Sequence, residues 1–562
     1  MDRNTLTGLI LIVILMMAWF YFSMPTEEQL QRQRAEQQRQ DSIAQLEDQR
    51  GTGITENQQT TAETESQLPE RNQQKIDERE SDDAEKVEMG IFDDAQVSDT
   101  SLVTVETPLY VATFTNVGAG PAKMELKEYK TWDKKPVQLM ADTTRSAYSI
   151  GFLSNDNYNV DTKNILFRQV TDRNYIGVNE GENAELTYEL NVGNGKRMVI
   201  TYLFFADTYE LDVNIEFEGL SGEIADNNFD FGWDNRLKHT EKDRVTESTS
   251  MSSYVYAGGE MERFKLDEPG TDRKVVNGNI EWVASRTKFF SQIIKTPNST
   301  DAATLIGSVN GDVEEPNTRH QYSTYIRTDI PQNGSVDFEL YVGPLSWNKI
   351  KKYESTAFDM VDVGWSWIRW FADPLVRYAI IPFLNFMGGL TGNIGLAIIL
   401  FAVAIKIVLF PLTKKSFESM AAMKELQPEM KKIQEKYKDD QQKQQKATMK
   451  LYKEAEVNPL GGCLPNLLQF PILITLWRFF QSSIEIRQES FLWASDLSAP
   501  DVILSLPFSI PFLGDHLAGF VLLMSATMVV QTQLTGSATG TPTGGPGGMN
   551  MKAFQYILPL IL

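Results

Sequence analysis

A lysine inside an apolar run is the residue of this sequence with the clearest chemical potential. Lys406 interrupts Asn393–Leu412, which reads NIGLAIILFAVAIKIVLFPL and would form a helix about 30 Å long, enough to span a bilayer. A lysine at the centre of a bilayer costs about 3 kcal/mol. Because Lys406 lies near one end of the run, before Pro411, it could also snorkel to the headgroups. We favour a functional cation, since charged groups inside spans usually mark polar pathways.

Two glutamines lie in apolar runs further along the chain. Leu460–Phe480, LGGCLPNLLQFPILITLWRFF, contains Gln469, and Leu517–Leu534, LAGFVLLMSATMVVQTQL, contains Gln531. A polar side chain that faces hydrocarbon lacks hydrogen-bond partners. We therefore expect Lys406, Gln469 and Gln531 to face one shared, water-accessible cavity.

The sequence offers no catalytic constellation. His239, His320 and His516 are scattered without ligand spacing, and Cys463 is the single cysteine. This excludes an intrachain disulfide framework and a multi-cysteine metal site. With no nucleotide-binding loop or triad, we predict no catalytic residue, no metal and no cofactor. The formal net charge of −22 also argues against DNA binding, which needs clustered Lys and Arg.

The length of 562 residues predicts two or more domains. Leu6–Ser23 carries no charge and ends in the aromatic residues of Trp19–Phe22, which suit a membrane interface and not a cleavage site. We predict an uncleaved transmembrane anchor over residues 1–23. Residues 24–100 are acidic and rich in glutamine, so they contain too little apolar surface to form a folded core. We therefore predict that this segment is a tether.

Residues 101–355 show the pattern of a β domain. Short runs such as SLVTVET, YVATFTN and VITYLFF contain β-branched and aromatic residues, and Leu211–Phe217 alternates between apolar and polar side chains. Asn277-Gly278 supplies turn chemistry between two such runs. Many short strands without intervening helix patterns favour an antiparallel β-sandwich.

The following segments predict membrane helices of two kinds. Residues 362–389 mix tryptophans with Arg369 and Arg377, which favours an amphipathic helix lying in the interface, broken or kinked at Pro374 and Pro382. Transmembrane helices are then expected over the following ranges: 393–412, 460–480 and 517–534.

Charge sets the orientation of these spans. Residues 413–458 contain eleven lysines and eight acids and predict a helical hairpin that stays in the cytoplasm. Residues 481–516 have five acids and one arginine, which fits a periplasmic loop. Residues 535–550 predict a flexible cytoplasmic loop. Residues 551–562 are too short to span, so we expect them to begin a truncated transmembrane helix. The N-terminus is then cytoplasmic and the β domain periplasmic.

Two blocks in the last third resemble a known family. FPLTKKSFESMAAMKELQPEMKKIQEKYKDD (Phe410–Asp440) and VNPLGGCLPNLLQFPILITLW (Val457–Trp477) are similar to the signature blocks of the insertase family of bacterial YidC, mitochondrial Oxa and chloroplast Albino proteins. Val103–Gly120 and Asn279–Pro297 resemble the periplasmic domain of its Gram-negative members. The resemblance covers Leu102–Leu562.

The resemblance implies a multi-domain membrane protein with a periplasmic antiparallel β-supersandwich and an α-helical transmembrane insertase core carrying a cytoplasmic helical hairpin. It places the cation of a hydrophilic groove at Lys406, where many Gram-negative relatives have arginine. Lysine keeps the charge but lacks the bidentate fork of arginine. Gln469 matches the polar position of LLQFP, and Gln531 matches a polar position of the next span.

The resemblance also implies function and partners. A protein of this kind is an inner-membrane insertase and chaperone, and it is not an enzyme. Its implied partners are nascent hydrophobic membrane-protein segments, the Sec translocon, the ribosome at the cytoplasmic face and membrane lipids. Two alternatives remain open at this point. The spans could form a transporter or channel, although no inverted repeats are visible. The β domain could be a carbohydrate-binding or mutarotase-like enzyme, since similar sandwiches include such enzymes.

Overall fold

The structure is a computed structural model that describes residues 89–93, 99–313, 315–365, 367–437, 440–455, 457, 464–510 and 514–535. The described residues all belong to one compact unit, Val87–Leu562. The predicted anchor, nearly all of the predicted tether and the segment from residue 536 onward lie outside the described residues.

Three sheets form the β domain in the described part of the chain, with strands numbered in chain order. The first has the spatial order β4-β3-β2-β1-β8. Its strands are β1 (Leu102–Glu106), β2 (Tyr110–Thr115), β3 (Gly120–Lys130), β4 (Pro136–Gln138) and β8 (Tyr175–Gly177). The second has the order β14-β13-β16-β17-β20-β11-β10-β9-β7. Its strands are β7 (Arg168–Gln169), β9 (Asn183–Gly193), β10 (Lys196–Phe205), β11 (Glu210–Glu218), β13 (Ser252–Ala257), β14 (Glu260–Phe264), β16 (Ile280–Arg286), β17 (Phe290–Lys295) and β20 (Ser335–Pro344).

The third sheet has the order β15-β18-β19-β12-β5-β6. Its strands are β5 (Tyr148–Leu153), β6 (Asn159–Asp161), β12 (Asn228–Trp233), β15 (Gly270–Asn277), β18 (Thr300–Asn310) and β19 (Arg319–Asp329). A short helix, α1 (Arg244–Ser250), lies between β12 and β13, and α2 (Trp347–Tyr353) follows β20.

The second and third sheets pack face to face. The rings of Phe231 on β12 and Phe338 on β20 have centroids 4.3 Å apart. Gln292 on β17 donates from Nε2 to Oγ1 of Thr324 on β19 at 3.0 Å. Apolar side chains fill this interior because the strands alternate, and β11 buries every second residue as its sequence predicts. The predicted β-sandwich is therefore confirmed.

Two details of the β domain differ from the sequence-based expectation. β1 pairs in parallel with β8, so the domain is not antiparallel throughout. Asn277-Gly278 does not close a hairpin. β15 before it pairs with β18 in the third sheet, whereas β16 after it pairs with β13 and β17 in the second. Asn277-Gly278 therefore connects strands of two different sheets. Turn residues indicate where a strand ends, but not which strand it pairs with.

Helices dominate the rest of the described chain. They are α3 (Arg369–Leu375), α4 (Ile381–Thr391), α5 (Ile394–Glu425), α6 (Gln427–Lys436), α7 (Gln441–Glu454), α8 (Leu464–Ser482) and α9 (Gly519–Thr535). A π-helical turn, Val376–Ile380, joins α3 to α4. Pro374 lies inside α3 and Pro382 at the start of α4. The two prolines thus flank a π turn, and the helical backbone continues through it without a break. Such π turns are a known cause of kinks in helices.

Two segments differ in detail from the predicted boundaries. α5 passes Pro411 without ending and continues to Glu425, into the segment predicted as part of the hairpin. Pro411 has no backbone N–H, so one hydrogen bond is missing inside this helix. The predicted loop over 481–516 is not wholly irregular, since β21 (Val502–Ile510) pairs with β22 (Gly514–Ala518).

The helices α6 and α7 occupy the lysine-rich segment. α6 begins at Gln427, with Pro428 in its first turn, a position where proline is well tolerated. The Asp440 carboxylate accepts a hydrogen bond from Lys443 N and caps α7. Tyr452 Oη donates to Met430 Sδ at 3.2 Å, which brings the two helices into contact.

One helical segment within the described residues, Ile394–Pro411, is long and apolar enough to cross a membrane, and only 17 % of it is buried. Gly519–Val530 is a shorter apolar segment. A soluble protein would bury an apolar surface of this extent. The exposure of α5 therefore fits contact with lipid.

Candidate substrate groove

The exposed face of α5 carries an open hollow of about 620 Å³. The described residues that line it are Ile399, Ala402, Val403, Lys406, Ile407 and Phe410. Their spacing of three and four places all of them on one side of a helix. We call this feature the α5 hollow. Lys406 is the single polar residue in this described lining.

Lys406 is exposed in the α5 hollow, and no described carboxylate lies within 4.0 Å of its ammonium group. An ammonium group beside hydrocarbon keeps much of its electrostatic reach, because little water screens it. The charge is therefore available to an incoming anionic group. Snorkelling along α5 is compatible with this position, so exposure alone does not assign a role to Lys406.

Burial along α5 changes from one end to the other. Ala397 and Phe401 are buried near the start of the helix, and the Phe401 ring packs on Phe383 of α4 at 5.2 Å. Further on, Ile407 and Val408 are 68 % and 76 % exposed. The packed end of α5 thus follows α4, and the open end carries Lys406 and leads to α6 and α7.

The other two predicted groove residues are placed less completely. Gln469 lies on α8 and is half-buried. In the described part of the chain, no hydrogen bond joins it to Lys406. Gln531 lies on α9, and its side chain is outside the described residues. A common cavity for Lys406, Gln469 and Gln531 therefore remains a prediction.

Charged contacts that the sequence did not reveal hold the helices to the linker that follows α2. Arg478 on α8 pairs with Asp362 at 3.4 Å, and Ser482 Oγ donates to the backbone oxygen of Asp362 at 2.8 Å. Arg377 in the π turn pairs with Asp359, and its guanidinium lies 4.9 Å from the Trp347 ring centroid. Burial raises the pKa of Asp359, against the lowering effect of the Arg377 charge.

These contacts fix the ends of α3 and α8 beside the linker that follows α2. No periodicity or motif could have found them, because the partners are far apart in sequence. They position α3 and α8 without touching the α5 hollow.

Comparison with known proteins covers nearly the whole chain. The family model described as the YidC periplasmic domain matches residues 102–378, and the one described as the 60Kd inner membrane protein matches residues 386–562. The membrane protein insertase YidC of Chloroherpeton thalassium is 33 % identical over 565 residues, covering 100 % of this chain and 90 % of the relative. That of Chlorobaculum parvum is 34 % identical over 541 residues, covering 95 % and 86 %.

Two solved structures also resemble parts of this chain. A crystal structure of an active YidC insertase with its first transmembrane domain resolved covers 82 % of this chain and 86 % of that structure, at 20 % identity and a TM-score of 0.30. A putative aldose 1-epimerase from Escherichia coli K12 covers 43 % of this chain at 10 % identity and a TM-score of 0.27.

The relatives that match over the whole chain are insertases and not transporters, channels or enzymes, so neither alternative interpretation is retained. With one third of its residues identical to those of these relatives over nearly its full length, this chain belongs to the YidC family of membrane protein insertases.

Proposed function

We propose that this chain inserts and folds hydrophobic segments of nascent proteins in the bacterial inner membrane, using the α5 hollow as part of its groove. The observation that carries the proposal is Lys406, a cation without a described carboxylate partner in an otherwise apolar lining. An insertase needs no bond-making chemistry. It needs a path that lowers the cost of moving polar groups through hydrocarbon.

Lys406 lowers this cost by attracting acidic residues of the substrate. Two opposite charges about 4 Å apart gain about 4 kcal/mol at an effective dielectric constant of 20. This is comparable with the cost of about 3 kcal/mol for a charged residue at the centre of a span. One contact can therefore offset much of the desolvation of one acidic side chain.

The apolar part of the substrate leaves along α5. Ile407 and Phe410 expose apolar surface in the hollow, so a substrate segment can exchange protein contacts for lipid contacts without crossing a polar barrier. Hydrophobic partitioning drives this step. The membrane potential adds about 2.3 kcal/mol per charge for each 100 mV.

The proposed orientation places α6 and α7 in the cytoplasm and the β domain in the periplasm. The high lysine content of residues 413–458 supports it, because short lysine-rich loops remain inside. The anchor at residues 1–23 then leads out, α5 returns, α8 leads out and α9 returns. The protein is multi-pass with a cytoplasmic N-terminus.

The proposed partners follow from this orientation. Exposed lysines on α6 and α7 provide a basic surface for the ribosome, and the apolar faces of α5 and α9 are available to the Sec translocon and lipids. Gln469 and Gln531 are proposed to supply polar groups to the same groove as Lys406.

Site-specific photocrosslinking tests the groove. A photoreactive residue at Ile407 faces the hollow, whereas one at Val408 has nearly the same depth but is rotated about 100° around the helix. With a stalled nascent membrane protein, Ile407 should give several-fold more crosslinked product. Equal yields at both positions would show that the substrate does not occupy the hollow.

A further inference from the structure

The loop between β3 and β4 presents an exposed tryptophan in a fixed conformation. We call residues 131–135 the hairpin tip. Thr131 N donates to Lys135 O at 2.8 Å, and Lys134 N donates to Thr131 O at 2.9 Å. Lys134 adopts a left-handed φ of 65°, which such a tight turn requires. The Trp132 side chain is 53 % exposed at this tip.

Exposed cations lie on two chain segments that meet at Trp132. Trp132 N donates to Thr240 O at 3.1 Å, which brings the segment before α1 to the hairpin tip. The exposed cations of residues 130–135 and 238–244 that have no described carboxylate within 4.0 Å are Lys130, Lys134, Lys238, Lys242 and Arg244. Lys135 is the exception, because it pairs with Asp133 at 2.7 Å. An unpaired basic surface is unusual in a chain with a net charge of −22.

The hairpin tip is tied to the end of a proposed span. Arg487 Nη2 donates to Lys130 O at 2.6 Å, and Gln488 Nε2 donates to Lys130 O at 2.6 Å and to Thr131 O at 3.1 Å. Arg487 follows the last residue of α8, Ser482, by five residues. Five residues reach at most about 18 Å, so Arg487 lies within about 18 Å of the end of α8. The headgroup layer is about 6 Å thick on each side of the hydrocarbon core.

We propose that the hairpin tip and its surrounding cations dock on anionic phospholipid headgroups of the outer leaflet. Tryptophan prefers the headgroup level, because its indole has a large apolar body and one N–H donor. Each Lys or Arg near an anionic membrane surface strengthens the attraction to it. An exposed indole ring with several cations nearby interacts more favourably with anionic headgroups than with water alone. The inference rests on the proposed assignment of α8 as a membrane span.

Fluorine NMR of the full chain in lipid nanodiscs tests this docking. The ten tryptophans are replaced by 5-fluorotryptophan, and the Trp132 signal is assigned by its loss in Trp132→Phe. A spin label on the lipid headgroup should broaden the Trp132 signal in discs that contain phosphatidylglycerol. The broadening should fall at least twofold in discs of phosphatidylcholine alone, and also in Lys130→Gln/Lys134→Gln/Lys242→Gln.

Three other tryptophans are internal controls. Trp370 and Trp477 are exposed on α3 and α8, whereas Trp233 is fully buried in the sandwich. If Trp477 broadens and Trp132 does not exceed Trp233, the docking proposal is wrong while the span remains. If Trp477 also fails to broaden, the span assignment on which the proposed function rests is wrong. A Trp132 signal shielded from both the lipid label and a soluble gadolinium chelate would indicate a protein partner and overturn lipid docking.

Discussion

Arg487 and Glu241 form a buried ion pair between the loop after α8 and the β domain. Arg487 Nε lies 2.7 Å from Glu241 Oε1, and the Arg487 side chain is 2 % exposed. The guanidinium also lies 5.7 Å from the ring centroid of Phe289 and 5.4 Å from that of Phe290. The pair joins residues 246 positions apart, so it connects the segment after α8 to the sandwich through an enclosed contact.

Removing one partner of this pair should destabilise the junction strongly. Arg487→Met leaves the Glu241 carboxylate buried without its cation, which costs about 3–5 kcal/mol. The double variant Arg487→Met/Glu241→Gln should recover much of this loss. Thermal unfolding of the purified full chain, at one scan rate, measures both effects.

An exposed pair serves as the matched control. Arg197 and Glu218 lie at the same Nε–Oε distance of 2.7 Å, with both side chains more than 40 % exposed. Arg197→Met should cost at most about 1 kcal/mol, because water screens such pairs. Equal losses for the two arginine variants would show that burial does not strengthen the Arg487 contact.

Glu247 should make the β domain less stable as the pH rises. Burial raises the pKa of Glu247 to about 7 from 4.5, although Thr240 N and Glu241 N donate hydrogen bonds to its carboxylate. Between these pH values the folded chain holds a proton that the unfolded chain releases. Its contribution, about 3 kcal/mol, is full below pH 4.5 and lost as the pH rises through 7. The thermal unfolding midpoint of the wild type, relative to that of Glu247→Gln, should therefore decrease between pH 5 and pH 8. A constant difference would contradict this assignment.

His239 should act in the opposite direction. Burial lowers the pKa of His239 to about 4 from 6.5, and the charges of Arg236 and Arg244 lower it further. Between these values the unfolded chain binds a proton that the folded chain does not, so stability rises with pH. The midpoint of wild type minus that of His239→Gln should increase from pH 4.5 to 6.5. In the same pH range, Glu247 makes the stability fall as the pH rises. The unfolding midpoint of the wild type should therefore change less with pH than the midpoint of either variant.

The sequence was most informative where one periodicity dominated. The alternation of Leu211–Phe217 predicts a half-buried strand, and β11 has that burial pattern. The apolar run of Asn393–Leu412 predicts a long helix, and α5 covers this run from Ile394 onward. Strand partners were not predictable, as β15 and β16 show, because local turn chemistry carries no information about distant pairing.

The candidate site was predictable only in part. Lys406 could be singled out, because a charge in an apolar run is a local anomaly. The α5 hollow could be recognised only from the structure, since its other described lining residues are ordinary apolar side chains. The contact of Arg487 with Glu241 left no signal at all, because each residue alone resembles a solvated surface charge.

The most direct test of the account is the insertion of an acidic-tailed substrate by Lys406 variants. Full-length protein in proteoliposomes is given two substrates that differ only in whether the translocated tail carries aspartates or asparagines. Lys406→Glu should slow insertion of the acidic substrate about tenfold for each 1.4 kcal/mol of lost attraction. Lys406→Arg should preserve it, and Lys414→Ala, an exposed lysine further along α5, is the control. Wild-type rates with Lys406→Glu and Lys406→Ala, at equal protein levels, would mean that the lysine only snorkels and would contradict the account.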